Sequence, residues 1–249
     1  KEKSSNHSDR TMSKIKKHLL CLVLIVAAAG AGCRSPGPLD SNRPDNLAAE
    51  SIRKYADTAW NAFKRTHPPT TNKVAIAQIE AIALRLILAS RTTEAKWEIL
   101  AYGDGPVTAF YLPPARLAVH AGLWEHLEDG ERAALIAHLL GHAQAVHGAE
   151  RLGRILQDIE AGEDEPPPGA SQLVLLAYTG HAAGGRRMAF TAQHEIVADA
   201  LAKLYLKRAG YKADAIGELW EALGTPDLEN SLFIQVHPMT PDKRSAKEH

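Results

Sequence analysis

The sequence contains few cysteines. Only Cys21 and Cys33 occur among 249 residues, and both lie close to the N-terminus. No disulfide bond can therefore link two segments of the main body of the chain. The folded part of the chain must therefore be stabilised by side-chain packing, and a bound metal ion is a further possible source of stability.

An excess of charge of one sign is also absent. The chain carries 29 basic and 29 acidic residues, so its formal net charge is zero. Nucleic-acid-binding proteins usually show a basic excess, and solvating or disordered partner regions often carry an acidic tail. We therefore expect no nucleic acid among the partners of this protein.

A long apolar run is missing as well. The run from Leu19 to Val26 is shorter than the roughly 20 residues that a membrane-spanning helix needs. Lys14, Lys16 and Lys17 precede this run, and small residues follow it. This order is typical of a bacterial secretory signal peptide, so residues 1–32 are predicted to be an N-terminal extension and signal peptide.

Cys33 directly follows Ala31 and Gly32, an arrangement that resembles the lipidation site of bacterial lipoproteins. The alternative is ordinary signal cleavage among the preceding alanines. Lipidation predicts a protein anchored by its N-terminal lipid in the bacterial cell envelope, at the outer membrane and facing the periplasm. Residues 33–46 are rich in Pro, Gly, Ser and Asn and predict a flexible tether, with one folded domain over residues 47–249.

The pattern of apolar residues predicts a mainly helical α+β domain. Helical spacing is present over residues 47–66, 73–90, 192–211 and 213–223, and one long helix is predicted over residues 128–159. Three short segments before the long helix, at 96–102, 107–112 and 117–122, are typical of strands and predict a small sheet.

His138 and His142 lie four residues apart within the long predicted helix. Residues at this spacing project from one face of a helix, so both imidazoles can reach a single zinc ion. The neighbouring side chains are apolar, and buried imidazoles need polar partners. The alternative for this pair is two hydrogen-bonded or solvated histidines without a metal.

Glu195 and Asp199 form a second pair four residues apart, in the apolar segment "HEIVADALA". Two histidines and a glutamate from a later helix form the ligand set of thermolysin-type zinc sites. Asp199 could then accept a hydrogen bond from the distal nitrogen of a ligand histidine. The alternative is an exposed helix face with a local salt bridge.

Several motifs in the same order resemble the family-48 zinc metallopeptidases, which include the CAAX prenyl endopeptidases, the heat-shock membrane peptidases and bacterial periplasmic lipoprotein peptidases. They are the strand "TAFYL" from Thr108, "HLLGH" from His138, "EIVAD" from Glu195 and the late His237-Pro238. The resemblance covers residues 47–244 and implies a zincin-like (gluzincin) fold, with the small sheet beside the helix that carries both histidines.

The resemblance also implies roles for single residues. His138, His142 and Glu195 match the three zinc ligands of the family, and Asp199 matches the aspartate of its E-x-x-A-D motif. His237 matches a histidine that in some relatives lies close enough to the metal to regulate it or to contact substrate. His147 matches a histidine whose role is unassigned.

The largest departure from the family is Leu139, which stands where the catalytic glutamate of H-E-x-x-H is expected. That glutamate is the general base that accepts a proton from the attacking water, and it is not a zinc ligand. Leucine cannot accept a proton. The sequence therefore predicts a zinc site that persists while peptide hydrolysis is absent or strongly impaired.

Three hypotheses for the function follow. The first is a zinc metalloendopeptidase-like lipoprotein without effective proteolysis, a pseudoenzyme that binds polypeptide substrates or clients. The second is an active metalloendopeptidase in envelope protein quality control, with His237 as the best candidate for a substitute base. The third is a metal-free structural lipoprotein.

Overall fold

The computed structural model describes residues 44–92, 96–161 and 169–238. The predicted signal peptide, Cys33 and nearly all of the predicted tether lie outside these ranges. Lipidation of Cys33 and the domain boundaries therefore stay predictions. None of the helices in the described ranges is both long and apolar enough to cross a membrane.

The described residues form a mainly helical domain with one three-stranded sheet, so the predicted fold class is confirmed. In chain order the longer elements are α1 (Pro44–Thr66), α2 (Lys73–Ser90), β1 (Glu98–Tyr102), β2 (Ala109–Leu112), β3 (Arg116–His120), α3 (Ala121–Glu125), α4 (Asp129–Gln144), α5 (His147–Ala161), α6 (Ala170–Thr179), α7 (Ala192–Arg208), α8 (Ala215–Leu223) and α9 (Leu232–Val236).

The sheet has the strand order β1-β3-β2, with β3 parallel to β1 and antiparallel to β2. Alternate side chains of a strand point to opposite faces, and here both faces are buried. Leu117 and Val119 of β3 pack towards α4, whereas Ala118 between them packs towards α1, α5 and α6. The sheet therefore separates two hydrophobic cores, and α4 lies at the centre of the first.

The helix α4 is buried nearly all round, as its apolar sequence predicts. Residues 133–142 all lie inside the protein. At its N-terminus the side chain of Glu131 accepts a hydrogen bond from the backbone N–H of Glu128, which forms a capping box. This central helix packs against α2, α7, α8 and β2.

The long helix predicted over residues 128–159 is not continuous in the structure. It is divided between α4 and α5, and Val146 at the division has a φ of 54°. Left-handed backbone is rare for a β-branched residue and is not signalled by the apolar pattern, which continues through this point. The prediction of a single helix was therefore wrong, because apolar periodicity does not detect a local change of chain direction.

The helices α4 and α7 approach closely at a point where both have a small residue. A Cβ atom added to Gly141 would lie 2.5 Å from the backbone oxygen of Ala198. Only glycine at position 141 is compatible with this separation of the two backbones. The close approach brings the histidines of α4 within reach of the carboxylates of α7.

Candidate metal centre

Four buried side chains converge between α4, α7 and the end of α9. His138 and His142 extend from α4, Glu195 extends from the first turn of α7, and His237 ends α9. None of the four is more than 5% exposed. Each offers one ligand atom, and these four atoms all lie within 4.8 Å of one another.

Five nitrogen–nitrogen and nitrogen–oxygen distances within the cluster are short and similar, with Glu195 contributing both of its carboxylate oxygens. Nε2 of His138 lies 3.0 Å from Nε2 of His142, 3.5 Å from Oε2 of Glu195 and 3.2 Å from Nδ1 of His237. Oε1 of Glu195 lies 3.3 Å from Nε2 of His142 and 3.1 Å from Nδ1 of His237. Three of the four residues are those that the sequence indicates as ligands.

The residues fit a tetrahedral metal ion. Zinc binds imidazole nitrogen and carboxylate oxygen at roughly 2.0–2.2 Å, which corresponds to ligand-to-ligand separations of about 3.3–3.6 Å in a tetrahedron. The observed separations of 3.0–3.5 Å are close to this range. Imidazole nitrogen and carboxylate oxygen are both among the ligands that zinc binds in proteins.

Burial and charge favour the ionisation states that bind metals. Burial lowers the pKa of His142 well below its ordinary value, so this imidazole is neutral and has a free lone pair. Burial raises the pKa of Glu195, but its interactions with His237 and His138 outweigh burial and hold the pKa well below its ordinary range. The centre therefore offers a neutral imidazole at His142 and an ionised carboxylate at Glu195.

Asp199 lies one helical turn beyond Glu195 and contacts the other side of His138. Its Oδ1 lies 2.8 Å from Nδ1 of His138, and its Oδ2 accepts a hydrogen bond of 3.1 Å from the indole N–H of Trp220. A carboxylate on Nδ1 favours the tautomer that leaves Nε2 of His138 available to a metal. The carboxylate is thus held between an indole and a candidate ligand.

His147 and His194 adjoin the centre but have no role in the ligand set that the sequence indicates. Nδ1 of His147 lies 3.0 Å from Nδ1 of His142, and the His147 ring stacks on His194 at a centroid separation of 4.4 Å. Burial lowers the pKa of His147 to about 4. The sequence signal for this contact was the match of His147 to a family histidine of unassigned role, and the expected continuous helix did not place that side chain beside His142.

Leu139 faces a small cavity beside the centre. This cavity has a volume of about 10 Å³, and its lining includes Leu139, His142 and His237. A volume of this size holds at most about one water molecule. The residue at the position of the missing general base is therefore apolar, buried and in contact with very little free space.

Aromatic side chains cover the side of the centre on which Leu139 lies. Phe190 stacks on His237 at 4.7 Å between ring centroids and lies 4.1 Å from the ring of His142. The guanidinium of Arg151 lies over the ring of Phe190, 3.8 Å from its centroid. Tyr178 completes this wall of the cavity. The polar centre is thereby shielded from solvent, which strengthens the interactions within it.

Comparison with known proteins is consistent with this arrangement. Residues 73–246 match the sequence profile of the family described as Peptidase family M48. Mitochondrial metalloendopeptidase OMA1 of Arabidopsis thaliana is 33% identical over 135 residues, which cover 51% of this chain and 26% of that protein. Its namesake from Schizosaccharomyces pombe is 25% identical over 198 residues, which cover 76% of this chain and 54% of that protein.

The predicted location in the bacterial cell envelope is wrong. Both relatives are named as mitochondrial metalloendopeptidases and come from a plant and a yeast. The prediction rested on the pattern of residues 12–33 alone, a basic stretch before a short apolar run and a cysteine. The matches cover only about a quarter and about half of the relatives' own lengths.

Proposed function

The chain belongs to peptidase family M48, and on this premise we propose that it is a zinc-binding member in which peptide hydrolysis is absent or strongly impaired. The observation that carries the proposal is the buried cluster of four metal-binding side chains with Leu139 beside it. The class of ligand proposed is polypeptide, because both named relatives are metalloendopeptidases.

The proposed ligands are Nε2 of His138, Nε2 of His142 and the carboxylate of Glu195. In a peptidase, a bound zinc ion polarises the scissile carbonyl and lowers the pKa of a water molecule towards about 7. The chain itself supplies the geometry, since the approach of α4 and α7 at Gly141 brings these three side chains together.

With Leu139 at the position of the general base, the proposed site has no side chain there that can accept and pass on a proton. A general base at this position accepts the proton of the attacking water and later passes it to the leaving amine. Such proton transfer is worth roughly a hundredfold to ten-thousandfold in rate. The Leu139 side chain is 2% exposed and apolar, so it offers no acceptor and disfavours a charged species beside it.

His237 supplies a second reason for low activity. Zinc sites that serve structure are closed by four protein ligands, whereas catalytic sites keep one position for water or substrate. Nδ1 of His237 lies 3.2 Å from Nε2 of His138 and 3.1 Å from Oε1 of Glu195, as a fourth ligand would. The adjoining 10 Å³ cavity is too small for a peptide backbone.

Metal analysis and casein hydrolysis test the proposal together. We expect about one zinc ion per chain and casein hydrolysis at the background rate for the natural protein. The double variant Leu139→Glu, His237→Ala restores a base and an open position, and we expect it to hydrolyse casein at least about a hundredfold faster. His237→Ala alone is the matched control, because it opens the site without supplying a base.

Two outcomes would contradict the proposal. Absence of zinc would favour a metal-free structural protein. Hydrolysis by the natural protein at a rate that the double variant does not exceed would favour an active enzyme with a substitute base. Retention of casein on the immobilised natural protein without cleavage is the result expected of a polypeptide-binding protein.

A further inference from the structure

We propose that His147 is a positioning residue that fixes the tautomer and orientation of His142, and so raises the affinity of the centre for its metal. This inference rests on the proposed metal-binding function and extends it to a residue outside the ligand set. His147 accepts a hydrogen bond from Nδ1 of His142, just as Asp199 accepts one from Nδ1 of His138. The acceptor is a neutral imidazole in the first pair and a carboxylate in the second.

The geometry assigns donor and acceptor between the two rings. His142 directs Nε2 towards Glu195 at 3.3 Å and Nδ1 towards Nδ1 of His147 at 3.0 Å. An imidazole that binds a metal through Nε2 carries its proton on Nδ1. Nδ1 of His142 must then donate, and Nδ1 of His147 must accept through its lone pair.

The acceptor ring is itself held in place. His147 is 4% exposed and stacks on His194, with an angle of 26° between the two rings. His194 is fixed at both nitrogens: the backbone N–H of Thr191 donates to its Nδ1 at 3.4 Å, and its Nε2 lies 3.2 Å from Oε2 of Glu150. Packing and hydrogen bonding therefore restrict the orientation of the ring that accepts from His142.

The break between α4 and α5 is what allows this contact. On a continuous helix, residues five apart project about 140° away from each other, so His147 would not face His142. The left-handed conformation of Val146, with its φ of 54°, turns the chain so that the two rings meet. Strained backbone of this kind persists where the surrounding structure requires it.

Zinc affinity of the purified full chain, measured by competition with a chelator, tests the role of His147. His147→Phe keeps an aromatic ring but removes the acceptor, and we expect zinc to bind 10- to 100-fold more weakly. His147→Gln restores an acceptor oxygen and should recover most of the affinity. His181→Phe, a substitution of another histidine with a depressed pKa, is the matched control and should bind zinc as the natural protein does.

A spectroscopic reading separates positioning from a general loss of structure. With Co²⁺ in place of zinc, His147→Phe should shift the visible absorption bands, whereas His147→Gln and His181→Phe should leave them unchanged. Natural affinity and an unchanged spectrum in His147→Phe would overturn the proposal. If the natural protein binds neither ion, the proposed function fails first, and that result differs from a defect confined to position 147.

A measurement on the natural protein keeps the proposal testable if His147→Phe does not fold. In the zinc-loaded protein, ¹⁵N NMR of the histidine side chains should show a protonated Nδ1 in His142 and an unprotonated Nδ1 in His147. A protonated Nδ1 in His147 would make it a donor and would overturn the proposal.

Discussion

At the scale of single residues, the candidate centre includes groups that contact the proposed ligands as well as the proposed ligands themselves. Asp199 receives hydrogen bonds from two sides, from His138 and from Trp220. Replacing it by alanine leaves the indole N–H without this acceptor and frees the His138 ring to change tautomer. A carboxylate in this position is typically worth 10- to 100-fold in metal affinity.

We therefore expect Asp199→Ala to weaken zinc binding by about 10- to 100-fold, measured by chelator competition. The exposed Asp227 provides the control, since Asp227→Ala removes the same charge elsewhere and should leave the affinity unchanged. Equal affinities in the two variants would contradict the role given to Asp199.

His181 gives the protein a pH dependence that is separate from the metal centre. Burial lowers the pKa of His181 to about 4, partly offset by its hydrogen bond with Thr179. An unfolded histidine titrates near 6.5, so the unfolded chain binds more protons below that pH. The stabilisation is therefore fully present above about pH 6.5 and is lost as the pH falls towards 4.

We expect the free energy of unfolding to fall less between pH 7 and pH 5 in His181→Phe than in the natural protein, by about 1–2 kcal/mol. Urea unfolding of metal-free protein at both pH values measures this difference. The variant retains other histidines with lowered pKa values, His142 and His147 among them, so it should lose only part of the pH dependence. If the free energy of unfolding falls by the same amount in both proteins, His181 does not cause this part of the pH dependence.

At the scale of elements, the contact between α4 and α7 determines whether the donors meet. A methyl group on Gly141 would be 2.5 Å from the carbonyl oxygen of Ala198, which is backbone and cannot rotate away. Gly141→Ala must therefore push the two helices apart. Overpacking of this kind costs about 1–3 kcal/mol, although alanine in a helix is otherwise favourable.

We expect Gly141→Ala to lower the free energy of unfolding by about 1–3 kcal/mol and to weaken zinc binding. Gly217 in α8 is the matched control, because a Cβ there meets nothing within 4 Å. Gly217→Ala should raise stability by about 0.5–1 kcal/mol. Similar effects of the two substitutions would show that helix separation does not limit the site.

Element prediction from the sequence succeeded where periodicity is local. The helices over residues 73–90 and 192–211 and the three strand segments are present with small changes of boundary. Just after α7, Gly210 has left-handed backbone with a φ of 78°, which glycine adopts without steric cost. The break at Val146 was missed, because the apolar pattern continues through it and left-handed backbone is rare for a β-branched residue.

At the scale of the whole molecule, a bound ion would connect parts of the chain that are otherwise joined by packing. The candidate ligands belong to α4, α7 and the end of α9, and His138 and His237 are 99 positions apart. An ion that binds the folded state only stabilises it by about 2.7 kcal/mol at a free concentration of 100 times Kd.

We therefore expect the midpoint of thermal unfolding to fall when zinc is removed by EDTA and to recover when zinc is restored. Glu195→Gln keeps the shape of the side chain but loses the charge, and its midpoint should respond much less to zinc. A midpoint of the natural protein that is insensitive to both treatments would contradict a metal held by these elements.

By itself, the sequence determined which side chains are available as metal donors, because side-chain type and four-residue helical spacing are local properties. His138, His142 and Glu195 could be proposed as donors in this way, and Leu139 was found by its position in the family motif that the chain resembles. Only the tertiary structure decided how His237 and His147 are placed, because their positions follow from the packing of α9 and from the turn at Val146. Convergence of distant side chains depends on contacts between elements, and those contacts exist only once the chain has folded.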